Sequence, residues 1–304
     1  MTSLAAEIAH HPLVLDGGLA TELERQGSDI TGRLWSARLL RDDPDAILAV
    51  HRSFFNAGAS VATSASYQAT FQGFAAQGIS AKETTDLVQR SVRLARTAAD
   101  EIDDRPTWVA ASVGPYGAML ADGSEYRGDY GLSVRQLRDF HRPRLEVLVA
   151  TGADVLALET IPCATEVEAL LEELRLFDTP AWLALSVTGT CTRAGEPLTD
   201  VFAMAADVDE VIAVGVNCST PEDAAAVVPI ARGATGKPVV VYPNSGEGWD
   251  AKVRAWSGIP ELDVAAVPRW IQEGAALVGG CCRVTPEQIV EMTTTLRRLQ
   301  PSNP

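Results

Sequence analysis

The strongest constraint on this chain is an alternation. Short apolar runs, many rich in β-branched residues, recur along its 304 residues, each followed by a longer stretch with helical character. Eight runs read as strands: Pro12–Asp16, Ala59–Thr63, Thr107–Val113, Asp154–Glu159, Ala181–Val187, Val211–Asn217, Pro238–Tyr242 and Ala275–Gly279. Between them, Thr84–Ile102 sets Leu87, Val88, Val92, Leu94 and Ala95 at helical spacing. Leu137–Ala150, Glu166–Leu176 and Pro286–Leu299 repeat that pattern. Strand–helix units in series imply parallel strands with helical crossovers. Eight such units predict a single (β/α)8 TIM-type barrel, one domain over residues 1–304. A doubly wound open sheet is the competing architecture. Asp16-Gly-Gly-Leu-Ala20, after the first strand, lacks the third glycine of a dinucleotide loop.

Charge narrows the partners. The formal charge is −15, which argues against nucleic acid and anionic membranes, both of which want a basic face. No apolar run approaches the roughly 20 residues of a membrane span. The N-terminal stretch has no basic segment followed by an apolar core, so it does not read as a signal peptide. Five cysteines are too few for a disulfide framework and fit a reducing, cytoplasmic setting.

Three of those cysteines stand out by position. Cys218 closes the sixth run, and Cys281 and Cys282 close the eighth. In a parallel barrel such ends converge on one face, where three thiolates would hold zinc and leave its fourth position open. An all-sulfur set favours a soft ion over magnesium or calcium. The alternative is a redox-inert pair or a vicinal disulfide. Cys163 and Cys191 read as ordinary packing residues, and His10, His11, His51 and His141 do not cluster near these strand ends. Tyr116–Leu132 and Pro243–Pro260, rich in Gly with Tyr or with Trp and Pro, read as loops on the same face.

The combination of motifs resembles the homocysteine S-methyltransferase family, from about Leu13 to about Leu299. The resemblance rests on Asp16-Gly-Gly-Leu-Ala-Thr-Glu22, Leu34-Trp-Ser-Ala37, Thr63-Ser-Ala-Ser-Tyr-Gln-Ala-Thr70, Leu158-Glu-Thr-Ile-Pro162, Gly215-Val-Asn-Cys218, Tyr242-Pro-Asn-Ser-Gly-Glu247 and Gly279-Gly-Cys-Cys-Arg283. Thr31-Gly-Arg33 departs from it, since relatives tend to carry Asp-Pro there. The resemblance implies a zinc-containing barrel with Cys218, Cys281 and Cys282 as ligands. It also implies methyl transfer to the thiol of homocysteine, with Glu159 holding the ammonium. The Tyr242–Glu247 segment is similar to the branch using S-methylmethionine, with S-adenosylmethionine a second donor. Betaine as donor, a selenol as acceptor, and a non-catalytic zinc- or thiol-binding sensor are the alternatives.

The chemistry assigns further candidates. Free thiols are only about 3% ionised at pH 7, and coordination to zinc ionises them outright. Asp16 is a second acidic candidate for the ammonium, or else caps the helix beginning near Leu19. Gly17 and Gly18 could offer backbone N–H groups to the substrate carboxylate, and Asn217 could orient the neighbouring ligand. Tyr242, Trp249 and Trp256, with Trp35 and Tyr67, are aromatic faces for a sulfonium. Thr285-Pro-Glu-Gln288 reads as a helix start with a capping glutamine.

Overall fold

The computed structural model of the protein describes residues 2–30, 34, 36–250, 255–260 and 262–299; the side chains of 248–250, 255 and 256 are not described. Eight parallel strands form the barrel: β1 Leu13–Val14, β2 Val61–Thr63, β3 Trp108–Val113, β4 Val155–Ile161, β5 Ala181–Leu185, β6 Val211–Asn217, β7 Val239–Tyr242 and β8 Ala275–Val278. Each pairs with its sequence neighbour, and β1 pairs with β8 through Leu13↔Leu277 and Val14↔Val278. A single bridge, Leu15↔Val61, joins β1 to β2 and completes the circle. The eight expected strands are all present.

Their edges differ from the sequence reading for identifiable reasons. β1 is short, since Pro12 has no N–H to give and Asp16 turns its carboxylate to Thr63. β4 runs on through Ile161, which pairs with Leu185 past an irregularity after Leu158. Val187 leaves β5 to form a small hairpin with Thr192. The helix Pro286–Leu299 begins and ends where expected. Its Gln288 carboxamide accepts from the Thr285 N–H at 3.0 Å, the anticipated cap. Ala81–Ala99, Val134–Val149 and Ala164–Leu174 start two or three residues earlier than expected. Serine caps explain the first two, with Ser80 and Ser133 accepting from the N–H of Glu83 and Gln136.

Two apolar clusters follow from strand alternation. Leu156, Leu158, Leu183, Leu185, Val214 and Val216 face the helix layer. Trp108, Ala110, Val155, Ala157, Trp182, Ala184, Ala213 and Val240 fill the barrel, and Leu4 and Ile8 of the helix Leu4–Ile8 join them. Continuing the inward series toward the strand ends gives Ser112, Glu159, Asn217 and Tyr242. The interior therefore turns polar at the face where the cysteines lie.

Close packing leaves β6 no room beside β7. A Cβ on Gly215 would fall 1.9 Å from the Val240 carbonyl oxygen. Gly233, within the helix Pro221–Thr235, has nothing within 4 Å of such an atom. Gly215→Ala is expected to cost about 2–3 kcal/mol and lower the melting temperature by on the order of 5 °C or more. Gly233→Ala should leave stability unchanged or raise it by about 1 kcal/mol. Calorimetry on both variants checks the pair, and equal shifts would contradict this packing.

Candidate active site

Strand ends β1, β2, β3, β4, β6, β7 and β8 surround a cavity of about 900 Å³, including its mouth. The three cysteines expected to meet do meet. Cys218 follows β6; Cys281 and Cys282 follow β8; their sulfurs all lie within 4.8 Å of one another. The Cys218 and Cys281 sulfurs lie side by side, and the Cys282 sulfur is 4.0 Å from that of Cys281. As thiolates, these three donors fit a soft metal ion, since a tetrahedral site with bonds of about 2.3 Å sets its sulfurs roughly 4 Å apart. Cys163 and Cys191 lie elsewhere: Cys163 is buried at a helix start, its thiol pushed up to about 12 by burial, and Cys191 sits in the small hairpin.

The cysteine loop is braced from two sides. Toward the seventh strand, the Cys281 N–H donates to the Pro243 carbonyl at 2.7 Å and the Cys282 N–H to the Asn244 side-chain oxygen at 3.2 Å. Ser245 N–H donates to the Cys282 carbonyl at 3.0 Å, and its hydroxyl donates to Glu247 at 2.6 Å. Glu247 in turn pairs with Arg283 at 3.0 Å. Toward the first strand, the Gly280 N–H donates to the Asp16 carbonyl at 3.1 Å, and the Arg283 N–H to the Thr21 hydroxyl at 2.8 Å. The Tyr242–Glu247 motif, apart from its tyrosine, is thus a clamp on the cysteine pair. Cys218 and Arg283 adopt left-handed φ values of 46° and 67°. Thr160, after Glu159, adopts 61°. Such values strain a β-branched residue and persist only when the surroundings impose them.

Asn217 supplies that imposition. Its side-chain oxygen accepts from the Thr160 N–H at 2.7 Å, and its nitrogen donates to the Thr160 hydroxyl at 2.8 Å. Asn217 therefore ties β6 to β4 at the residue before Cys218.

The two expected carboxylates face the cavity together. Glu159 accepts from the Ser112 and Tyr242 hydroxyls, the latter at 3.0 Å. Burial lifts its pKa to about 7, against the pull of both donors. Asp16 accepts from the N–H and hydroxyl of Thr63 at 2.7 and 3.1 Å, and burial, with the charge of Glu159, lifts it to about 8. It does not cap the helix Leu19–Arg25, whose N-cap is Gly18. The Gly18 N–H is also spoken for, donating to the Val284 carbonyl at 2.9 Å, so it is no carboxylate donor. A Cβ there would stand 2.6 Å from the Cys281 carbonyl, and on Gly17 2.6 Å from that of Val284; both glycines serve close approach. Tyr242 is 4% exposed and its hydroxyl also accepts from the Trp182 indole at 3.0 Å, which makes it a partner of Glu159 more than an open aromatic face. Tyr67 lines the cavity. Trp35 and the Trp249 and Trp256 side chains lie outside the described residues; the Trp249 and Trp256 backbones pair in the hairpin Gly248–Asp250 with Ala255–Ser257.

The sequence reading missed Thr63, Ser112, Glu125 and Tyr126 as lining residues. Strand alternation could have found the first two. It also missed a buried cluster behind Tyr67. There His141 bonds Glu166 at 2.8 Å, Glu166 accepts from the Tyr116 N–H at 2.6 Å, and Arg144 donates to the Gly114 carbonyl. Gly114 packs against the Tyr67 ring, so these charges brace the cavity wall. Among the described lining residues there are three carboxylates and three cysteines but no lysine, arginine or histidine. Such a cavity suits cationic substrates.

Comparison with known proteins agrees. The homocysteine S-methyltransferase family profile matches residues 13–296. The chain is 44% identical over 300 residues to the homocysteine S-methyltransferase YbgG of Bacillus subtilis (strain 168), covering 95% of each. It is 42% identical over 304 residues to the selenocysteine methyltransferase of Astragalus bisulcatus, covering 91% of this chain and 90% of that one. The homocysteine methyltransferase MmuM from Escherichia coli superposes with TM-scores of 0.85 in its metallated form and 0.84 in its oxidised form. Identity to both is 43%, over 94% of this chain and 96% of that one. With this barrel, this cysteine cluster and these relatives, the chain belongs to the homocysteine S-methyltransferase family.

Proposed function

We propose that the protein transfers a methyl group from S-methylmethionine to the thiol of homocysteine, using zinc held by Cys218, Cys281 and Cys282. The observation that carries this is the acidic, cysteine-bearing cavity without a basic residue among its described lining. When bound, zinc holds the acceptor sulfur as thiolate, and three cysteine thiolates keep that centre anionic. Glu159 and Asp16 take the homocysteine ammonium, and Gly17 remains the candidate for its carboxylate. Ser112, Tyr242 and Thr63 hold the two carboxylates in place, so orientation is set before substrate arrives. A sulfonium donor joins an anion to a cation and leaves as a neutral thioether, so no general acid is needed. S-adenosylmethionine would satisfy the same electrostatics. A reducing cytoplasm would keep the cysteines as thiols. A selenol acceptor is the second reading, favoured by the selenocysteine methyltransferase relative.

A donor screen on reduced, zinc-loaded protein tests the central claim. S-methylmethionine should support turnover with homocysteine, and turnover with betaine alone would overturn the donor assignment. Cys218→Ser and Cys281→Ser should each lower bound zinc well below one equivalent by atomic emission, whereas normal zinc content in both would remove the three-thiolate site. Glu159→Gln should keep its zinc and raise the KM for homocysteine roughly 10- to 100-fold. The pH dependence has a definite sign. Methionine carries the same ammonium without an ionisable thiol, and it needs Glu159 and Asp16 as anions, whereas burial holds them protonated up to about 7 and about 8. Its affinity should therefore rise as pH climbs from 6 to 8.5. In Glu159→Gln the step near pH 7 should vanish in titration calorimetry.

A further inference from the structure

Glu125 is a third carboxylate in the cavity, and nothing in the homocysteine contacts above uses it. It lies in the turn Ser124–Tyr126, is only 6% exposed, and lines the cavity with Cys282. Its Oε2 is buried with no hydrogen-bond partner. Burial raises its pKa, and the nearby Arg127 offsets that only in part.

The turn is built to hold it there. Gly123 takes a left-handed φ of 82°, which opens the turn. The Asp122 carboxylate accepts from the Ser124 N–H at 2.9 Å and hydroxyl at 2.5 Å, and Arg127 donates to the Ser124 hydroxyl at 2.7 Å. Gly117 lets the chain pass beneath, since a Cβ there would stand 2.4 Å from the Glu125 nitrogen. A turn secured on both sides presents this carboxylate in one place.

We infer that Glu125 binds the α-ammonium of the methyl donor. The inference rests on the S-methylmethionine reading above. Two amino acids must meet in this cavity, and each brings an ammonium group. Asp16 and Glu159 act electrostatically on one another and form one acidic pair. Glu125 stands instead on the turn Ser124–Tyr126, away from the strand ends and without the Thr63, Ser112 or Tyr242 bonds that hold that pair, so it is a separate acceptor. The orphan Oε2 also distinguishes between the donor's two cations. It lacks a hydrogen-bond donor, an ammonium brings three N–H groups, and a sulfonium brings none.

Steady-state kinetics on Glu125→Gln test this, with the melting temperature and zinc content checked against wild type. The KM for S-methylmethionine should rise about 10- to 100-fold while that for homocysteine stays within about twofold. The analogue (3-carboxypropyl)dimethylsulfonium, which lacks only the amino group, should lose little on the substitution. An equal loss with both donors, or an equal rise in both substrates' KM, overturns the assignment. So does an unchanged KM for S-methylmethionine. If the glutamine variant does not fold, Glu125→Asp keeps the charge on a shorter arm and should show a smaller rise confined to the same donor. A wild-type enzyme that transfers no methyl from S-methylmethionine defeats the donor reading itself, and this inference with it; turnover by wild type separates the two failures.

Discussion

Pairing of the first strand with the last is the interaction on which everything else depends. Leu13 and Val14 lie beside Leu277 and Val278, and Leu15 bridges to Val61. Only a closed ring of parallel strands points all eight C-terminal ends at one face. That closure brings Cys218 beside Cys281, 63 positions along the chain, and Cys282, and Asp16 within reach of both Thr63 and Gly280. Small inward residues at Ala110, Ala157, Ala184 and Ala213 leave room for Trp108 and Trp182 inside the ring.

Much of this was legible in the chain. The eight apolar runs and their helical spacers specify the barrel because buried parallel strands read as continuous apolar stretches. The three cysteines were legible because they close two of those stretches. Glu159 was legible as an acid ending the apolar run Val155-Leu-Ala-Leu158. Its hydroxyl donors lie on β3 and β7, 47 and 83 residues away, and only the closed ring brings them together.

Other side chains are local in appearance and distant in effect. Asn217 precedes a cysteine, yet its amide serves Thr160, 57 residues earlier. Asp16 sits where a helix cap would, yet its carboxylate answers Thr63 on the next strand. The Tyr242–Glu247 motif drew attention as a mark of donor choice, and most of its polar groups grip the backbone and Arg283 of the cysteine loop. Glu125 left no trace, because it lies in an aperiodic Gly- and Tyr-rich stretch whose path is set by Gly117 and Gly123.

A wall of acids with no base among its described lining also sets which nucleophiles stay out. A small peptide thiol with two carboxylates and one ammonium is net negative at neutral pH. Beside an ionised Glu125 or Glu159, its surplus carboxylate would meet a like charge costing about 3 kcal/mol at roughly 5 Å in an effective dielectric of 20. Beside protonated walls it would lose water and gain no cation in return. In either state the enclosure disfavours an acceptor with a surplus carboxylate, so charge alone would set a peptide thiol apart from homocysteine.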